Sequence, residues 1–298
     1  MRADGATLLR AMPAVFVLIW STGFVVARFG MPYAPPLGFL TLRYALSIAA
    51  FLLWVWWAGA SWPQGQRQWL HLSVSGVLMH AGYLGGVWIA VKGGLGAGLA
   101  ALVVGLQPLL TAIWVSTRGS AHHVNERQWV GLALGLAGLV LVVWHRLQLG
   151  EASAGNVAAA VFALLCITAG TLYQKRWVEP CDVRTANTVQ LLAALFVTAP
   201  LAWLEDGPVQ WHPELIGAMV WSVLALTLGG SSLLYLLIQR GAATAVSSLM
   251  YLVPPTTALM AWALFDETLG WAVLAGLGLA AAGVALVVRS PPSPKEKQ

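Results

Sequence analysis

Two stretches decide the architecture: GLALGLAGLVLVV at residues 131–143 and GLGLAAAGVALVV at residues 276–288, identical at eight of thirteen aligned positions. Helices built from Gly, Ala, Leu and Val match one another easily by chance, so the offset carries more weight than the identity. A displacement of about 146 residues also lays Val15-Phe16 on Val161-Phe162 and Pro108 on Pro254. A constant offset along the whole chain reads as a duplication. The units are residues 1–146 and 147–290, followed by a tail at 291–298.

Each unit contains five apolar stretches, near residues 12–29, 37–57, 70–91, 95–116 and 128–144, then 156–174, 187–203, 215–236, 242–262 and 270–288. All are long enough to cross a hydrocarbon layer of about 30 Å. An odd number of crossings makes the second unit enter the membrane from the opposite face. The expected fold is an all-α membrane protein of ten transmembrane helices, arranged as two inverted five-helix repeats around a central cavity. Secondary transporters are built this way, with access alternating about a site near the midplane.

Composition agrees. Hydrophobic residues make up 59% of the 298 and charged residues 9%, against about 25% charged in soluble domains. A water-soluble globule is excluded. The first apolar stretch, beginning at about Met12, reads as the first span and not as a cleaved signal. The formal charge of +5 comes from basic residues placed singly at helix ends, which points to membrane topology and away from nucleic acid. With a cytoplasmic N-terminus, twelve Lys/Arg fall inside (Arg2, Arg10, Arg67, Arg118, Arg127, Lys175, Arg176, Arg184, Arg240, Arg289, Lys295, Lys297) and three outside (Arg28, Lys92, Arg146). The positive-inside rule then places both termini in the cytoplasm of a bacterial-type inner membrane.

Polar groups inside a membrane are costly, so each is a candidate for function. His80 lies mid-span with Tyr83 one turn on; the pair either lines a cavity or bonds a neighbouring helix. Gln107 beside Pro108, and Tyr251 beside Pro254 and Pro255, mark equivalent places in the two units where a missing N–H bends the helix and exposes a carbonyl. Pro108 and Pro254 are the expected hinges. Arg43 could snorkel to the headgroups, bind a carboxylate or brace helices. All eleven Asp/Glu lie in loops, tails or span ends. No carboxylate therefore sits at the midplane, and the expectation is facilitated movement down a gradient. A permanently cationic cargo would want an acidic partner; an amphipathic amino acid can be held by rings and hydroxyls.

Catalytic, metal and cofactor sites are not expected. Cys166 and Cys181 offer neither a disulfide framework nor ligand spacing, His122-His123 stands alone, and no P-loop, HExxH, GxSxG or CxxC occurs. The Gly131, Gly135, Gly138 stripe, matched by Gly276 and Gly283, reads as packing of the fifth stretch on the tenth, or else as a dimer face. The expected partners are a small-molecule substrate and the lipid bilayer, in a monomer or weak homodimer. Most of the sixteen tryptophans sit at span ends, as an interfacial belt does.

Ile19-Trp-Ser-Thr-Gly-Phe24, Leu42-Arg43-Tyr44, the mid-helix prolines and Phe265-Asp-Glu267 together resemble the EamA-type drug/metabolite transporter superfamily, and within it the YddG-type exporters of aromatic amino acids. The resemblance implies a basket-like bundle with a cavity lined by the first, third, fourth, sixth, eighth and ninth stretches. Trp20, Thr22, Tyr173, Ser231, Ser232 and Tyr235 then fall at lining positions, while Arg43, widespread in the family, reads as a brace. Ser120-Ala-His-His123 departs from the family pattern, which has an acidic residue there. The implied function is export of aromatic and other hydrophobic amino acids. The alternatives are another cargo, such as a nucleobase or a methylated or cationic drug, or an intramembrane enzyme.

Overall fold

The computed structural model describes residues 5–118, 126–148, 150, 152–239 and 252–288. Among them every regular element is helical, as it must be where no water is available to satisfy backbone N–H and C=O groups. The elements are α1 (Gly5–Gly30), α2 (Pro36–Ala58), α3 (Gln66–Gly76), π1 (Val77–Gly82), α4 (Tyr83–Lys92), α5 (Ala97–Val104), α6 (Gln107–Arg118), α7 (Glu126–Gln148) and α8 (Ala154–Trp177). There follow α9 (Val183–Ala202), α10 (Pro213–Trp221), π2 (Ser222–Ser231), α11 (Ser232–Gln239), α12 (Val253–Phe265) and α13 (Trp271–Val288).

Among the described residues, six helical rods are long and apolar enough to cross a membrane, including Gln66–Lys92 and Pro213–Tyr235, and four shorter apolar helices accompany them. The protein is an all-α, multi-helix membrane protein. Its large exposed side chains, such as Leu53, Trp56, Trp57, Phe196 and Trp203, face outward where lipid takes the place of water.

Local chemistry sets the helix ends. Proline at the first turn opens α2 and left-handed Gly59 closes it. Ser153 and Asn156 form a reciprocal capping box at the start of α8. Asp182 accepts the Arg184 N–H at the start of α9, and the Arg184 guanidinium bonded to the same carboxylate holds it below its usual range against the opposing effect of burial. A carboxylate depressed in the folded state stabilises above its unfolded pKa and stops doing so as pH falls through the folded one. Asp182→Asn keeps a capping side chain and removes only the charge, so it is expected to lower stability by about 0.2–1 kcal/mol at neutral pH. The gap between variant and parent should close under strongly acidic conditions, read as unfolding midpoint against pH in detergent.

Three departures from a straight α-helix shape the interior. The π-helical segments π1 and π2 begin 145 residues apart, each inside a long rod. The wider turn leaves groups for other partners: Tyr44 donates its hydroxyl to the His80 carbonyl at 2.9 Å, and Thr227 donates to the Ser222 carbonyl, five residues back, at 2.9 Å. Between α5 and α6 the helix breaks at Gly105-Leu106, just before Pro108. A side chain at Gly105 would meet the Pro254 ring at 2.5 Å, so glycine is what lets α12 close on the break.

The glycine stripe is a contact within the chain, α7 against α13. A Cβ on Gly138 would lie 2.6 Å from the Gly276 carbonyl, and one on Gly283 would lie 2.3 Å from the Gly131 carbonyl. The inner shell pairs α2 with α9, α4 with α8, α3 with α9 and α5 with α12. One end of the bundle is closely tied. Glu205 accepts the Leu37 and Gly38 N–H groups at 3.0 and 2.9 Å, and Glu267 accepts those of Ala97 and Gly98 at 2.9 and 3.4 Å. At the same end Lys92 donates to the Met31 carbonyl at 2.6 Å and Arg146 to that of Thr268 at 2.8 Å. Tyr33 stacks on His212 and donates to Glu214, whose carboxylate raises the phenol above its ordinary value.

Candidate transport cavity

A cavity of about 710 Å³, open mouth included, runs between α1, α2, π1 with α4, α8, α9 and π2 with α11. Its apolar wall carries Trp20, Phe24, Tyr83, Leu84, Val87 and Trp88. Phe39 stacks on Trp88 at 4.3 Å and Phe16 packs on Trp20 at 5.3 Å, so the two indoles are held from behind. The rest of the lining includes His80, Gln174, Asn187, Gln190, Ser231 and Tyr235.

The amides here are tied to one another and to the helices. Gln190 donates to Ser75 at 2.9 Å and to Gln174 at 3.1 Å, and it lies beside His80. Asn187 donates to the Val183 carbonyl at 2.8 Å, and the Tyr235 hydroxyl pairs with the Cys181 thiol at 3.0 Å. Arg43 enters from α2, buried, with Nε and Nη2 both directed at the Thr227 hydroxyl at 3.1 and 3.0 Å. Among the described residues lining the cavity none is acidic.

Of the residues expected to meet cargo, Trp20, His80, Tyr83, Ser231 and Tyr235 are at the cavity. Gln107 borders a smaller adjoining space with Trp20, Tyr83 and Val253, and donates to Thr171 at 3.0 Å. Thr22 lies elsewhere, donating to the Ile19 carbonyl and accepting from the Trp221 indole at 2.8 Å. Tyr173 also lies away from the cavity, paired with His71 at 2.8 Å. Pro108 is buried in α6 and Pro254 is packed on Gly105; Tyr251 falls outside the described residues.

The lining differs in two ways from what the resemblance implies. Elements α2 and α9, the second and seventh stretches, contribute Arg43, Asn187 and Gln190, while α5, α6 and α12 border only the adjoining space. The signal for α9 was present in the sequence: Asn187 and Gln190 are one turn apart inside an apolar stretch, hence on one face. Gln174 carries a weaker signal, because Lys175-Arg176 beside it mark a helix end in the sequence.

The sequence matches the EamA-like transporter family over residues 11–144 and again over residues 155–289. The chain belongs to that family. An Escherichia coli K12 member named "Uncharacterized inner membrane transporter YedA" is 28% identical over 94% of this chain and 91% of its own length. A Salmonella typhimurium protein named "Probable amino-acid metabolite efflux pump" is 25% identical over 95% of this chain and 94% of its own. A solved crystal structure shares the fold at a TM-score of 0.68 and 18% identity, covering 93% of this chain and 95% of that one. This EamA-like protein is accordingly a multi-pass inner-membrane transporter of small molecules.

Within the family pattern, Phe265-Asp-Glu267 has a structural explanation. Asp266, at a left-handed φ of 52°, ends α12 and turns the chain so that Glu267 caps α5.

Proposed function

We propose that the chain forms ten spans in two inverted five-helix repeats and exports aromatic and other hydrophobic amino acids by alternating access. The observation that carries the cargo is the cavity itself, lined by aromatic rings, amides, hydroxyls, His80 and the Arg43 guanidinium, with no carboxylate among the described lining residues to prefer a cation. The paired π segments and the double family match support the repeat. The name of the Salmonella relative supports the direction and the cargo class. In the proposed orientation both termini are cytoplasmic, and the tied end, built around Glu205 and Glu267, faces outward. His80, Tyr83, Trp20, Ser231 and Tyr235 meet the cargo, Gln107 and Tyr251 flank it, and Pro108 and Pro254 serve as hinges. Thr22 and Tyr173 act through their helices.

The test is counterflow of labelled tryptophan, phenylalanine, threonine, methionine and uracil into liposomes holding the purified protein. Saturable movement of the amino acids is expected, with His80→Ala and Tyr83→Ala each weakening it by roughly tenfold, the equivalent of one buried hydrogen bond or ring contact. Movement of uracil alone would replace the amino-acid cargo with a nucleobase. No movement at all through folded protein overturns the proposed cargo.

A further inference from the structure

Arg43 sits in the second turn of α2, 5% exposed, on the cavity wall. A guanidinium has five N–H donors and is always charged. Two of them share one neutral acceptor, the Thr227 hydroxyl, whose own hydrogen goes to the Ser222 carbonyl. The other polar groups around the void are more fully engaged: Gln190 with Ser75 and Gln174, Asn187 with the backbone, Tyr235 with Cys181. No Asp or Glu occurs between Asp4 and Glu126, and no acidic residue lines the cavity among the described residues. A buried charge without a counter-charge is strongly unfavourable, and an anion that completes it recovers much of that cost. A brace would need no charge; a hydroxyl-bonding amide would do.

We infer that Arg43 is the docking group for a carboxylate on the cargo. The substrate class is then an organic carboxylate with an apolar, commonly aromatic body, held by its acid group and its ring and not by its amine. This rests on the transport reading above and sharpens it. A carboxylate on the guanidinium forms the paired N–H···O geometry that arginine favours. Trp20, Tyr83 and Trp88 take the apolar body. A free ammonium finds no acid here and is repelled by the nearby guanidinium, so an amino acid is accepted for its carboxylate alone. Masking the amine costs nothing; masking the acid removes the anchor.

The test uses the full chain in liposomes, with protein-free liposomes as blank, and follows counterflow of labelled phenylalanine, N-acetylphenylalanine and phenylalaninamide. Both acids are expected to move, and the amide at least tenfold more slowly. Arg43→Gln should bring acid and amide within about twofold of each other, Arg43→Lys should keep part of the preference, and Thr227→Val, which removes the brace but leaves the charge, should keep it. An amide moved as well as the acids, or a preference that survives Arg43→Gln, overturns the inference while leaving transport standing. The same holds if Thr227→Val erases the preference as Arg43→Gln does, since Arg43 would then act only as a brace. If Arg43→Gln does not fold, the wild-type ratio of acid to amide and the Arg43→Lys variant decide. If nothing in the panel moves through monodisperse, folded protein, the aromatic cargo and the docking role fall together.

Discussion

Gly76→Ala is expected to lower the unfolding midpoint in detergent by several degrees and to abolish transport, whereas Gly85→Ala on the same rod should do neither. The difference lies in what the added methyl meets. At Gly76 it would sit 2.3 Å from the Gln190 carbonyl oxygen and 2.5 Å from the Gln190 Cα, both backbone atoms that cannot rotate away. At Gly85 the nearest atom is a Leu37 methyl at 3.5 Å, an ordinary contact. Relieving the first clash means moving α3 and α9 apart by about an ångström, at an overpacking cost on the order of 3 kcal/mol. The shift would also pull Gln190 from Ser75 and Gln174, dismantling the polar side of the cavity. A Gly76→Ala protein that melts within a degree of the parent and still transports would show that α3 and α9 do not pack as closely as described.

That contact also marks a boundary in what the sequence discloses. The helical class is legible because lipid leaves the chain no alternative: long apolar stretches separated by charges must be helices, and the glycine stripes at 131–138 and 276–283 announce two helices whose backbones touch. His80 with Tyr83 is legible for a related reason, since polar groups one turn apart in an apolar rod share a face. The wall of the cavity is less legible. Seen as a sequence, Gln190 shares a face with Asn187, but whether that face meets α3, a void or both is decided only by the approach of Gly76. Thr22 and Tyr173 show the converse, since their hydroxyls suit a cavity but are taken by Trp221 and His71. The π segments leave no compositional trace at all: the VLMHAG and SVLALTLGGS segments would pass for ordinary helix. Their widened turns go with bonds such as Tyr44 to His80, whose partner lies on another helix and which no local pattern encodes.

Removing the two carboxylates at the tied end is expected to open that end of the cavity. Glu205 follows α9 and caps α2; Glu267 follows α12 and caps α5. Under the proposed repeat, the seventh stretch holds the second and the ninth holds the fourth, so each carboxylate would tie a helix of one unit to its counterpart in the other. Both accept N–H groups at a helix N-terminus, where the macrodipole favours negative charge. Losing such a cap to alanine costs about 0.5–2 kcal/mol, and two losses acting on one opening step add to about 2 kcal/mol, a shift of more than tenfold in the open population. The probe is a single thiol on the cavity wall, Gly23→Cys, where a side chain meets nothing nearer than a Leu226 methyl at 3.6 Å, in a chain with Cys166 and Cys181 replaced by alanine. A membrane-impermeant maleimide added from the tied side should label it at least tenfold faster when Glu205→Ala and Glu267→Ala are combined, and each alone should give a smaller gain. Asp206→Ala, exposed beside Glu205, should change nothing. Equal rates in the double variant and its parent would mean that the carboxylates only finish two helices, and that the resistance to opening lies in the apolar contacts beneath them.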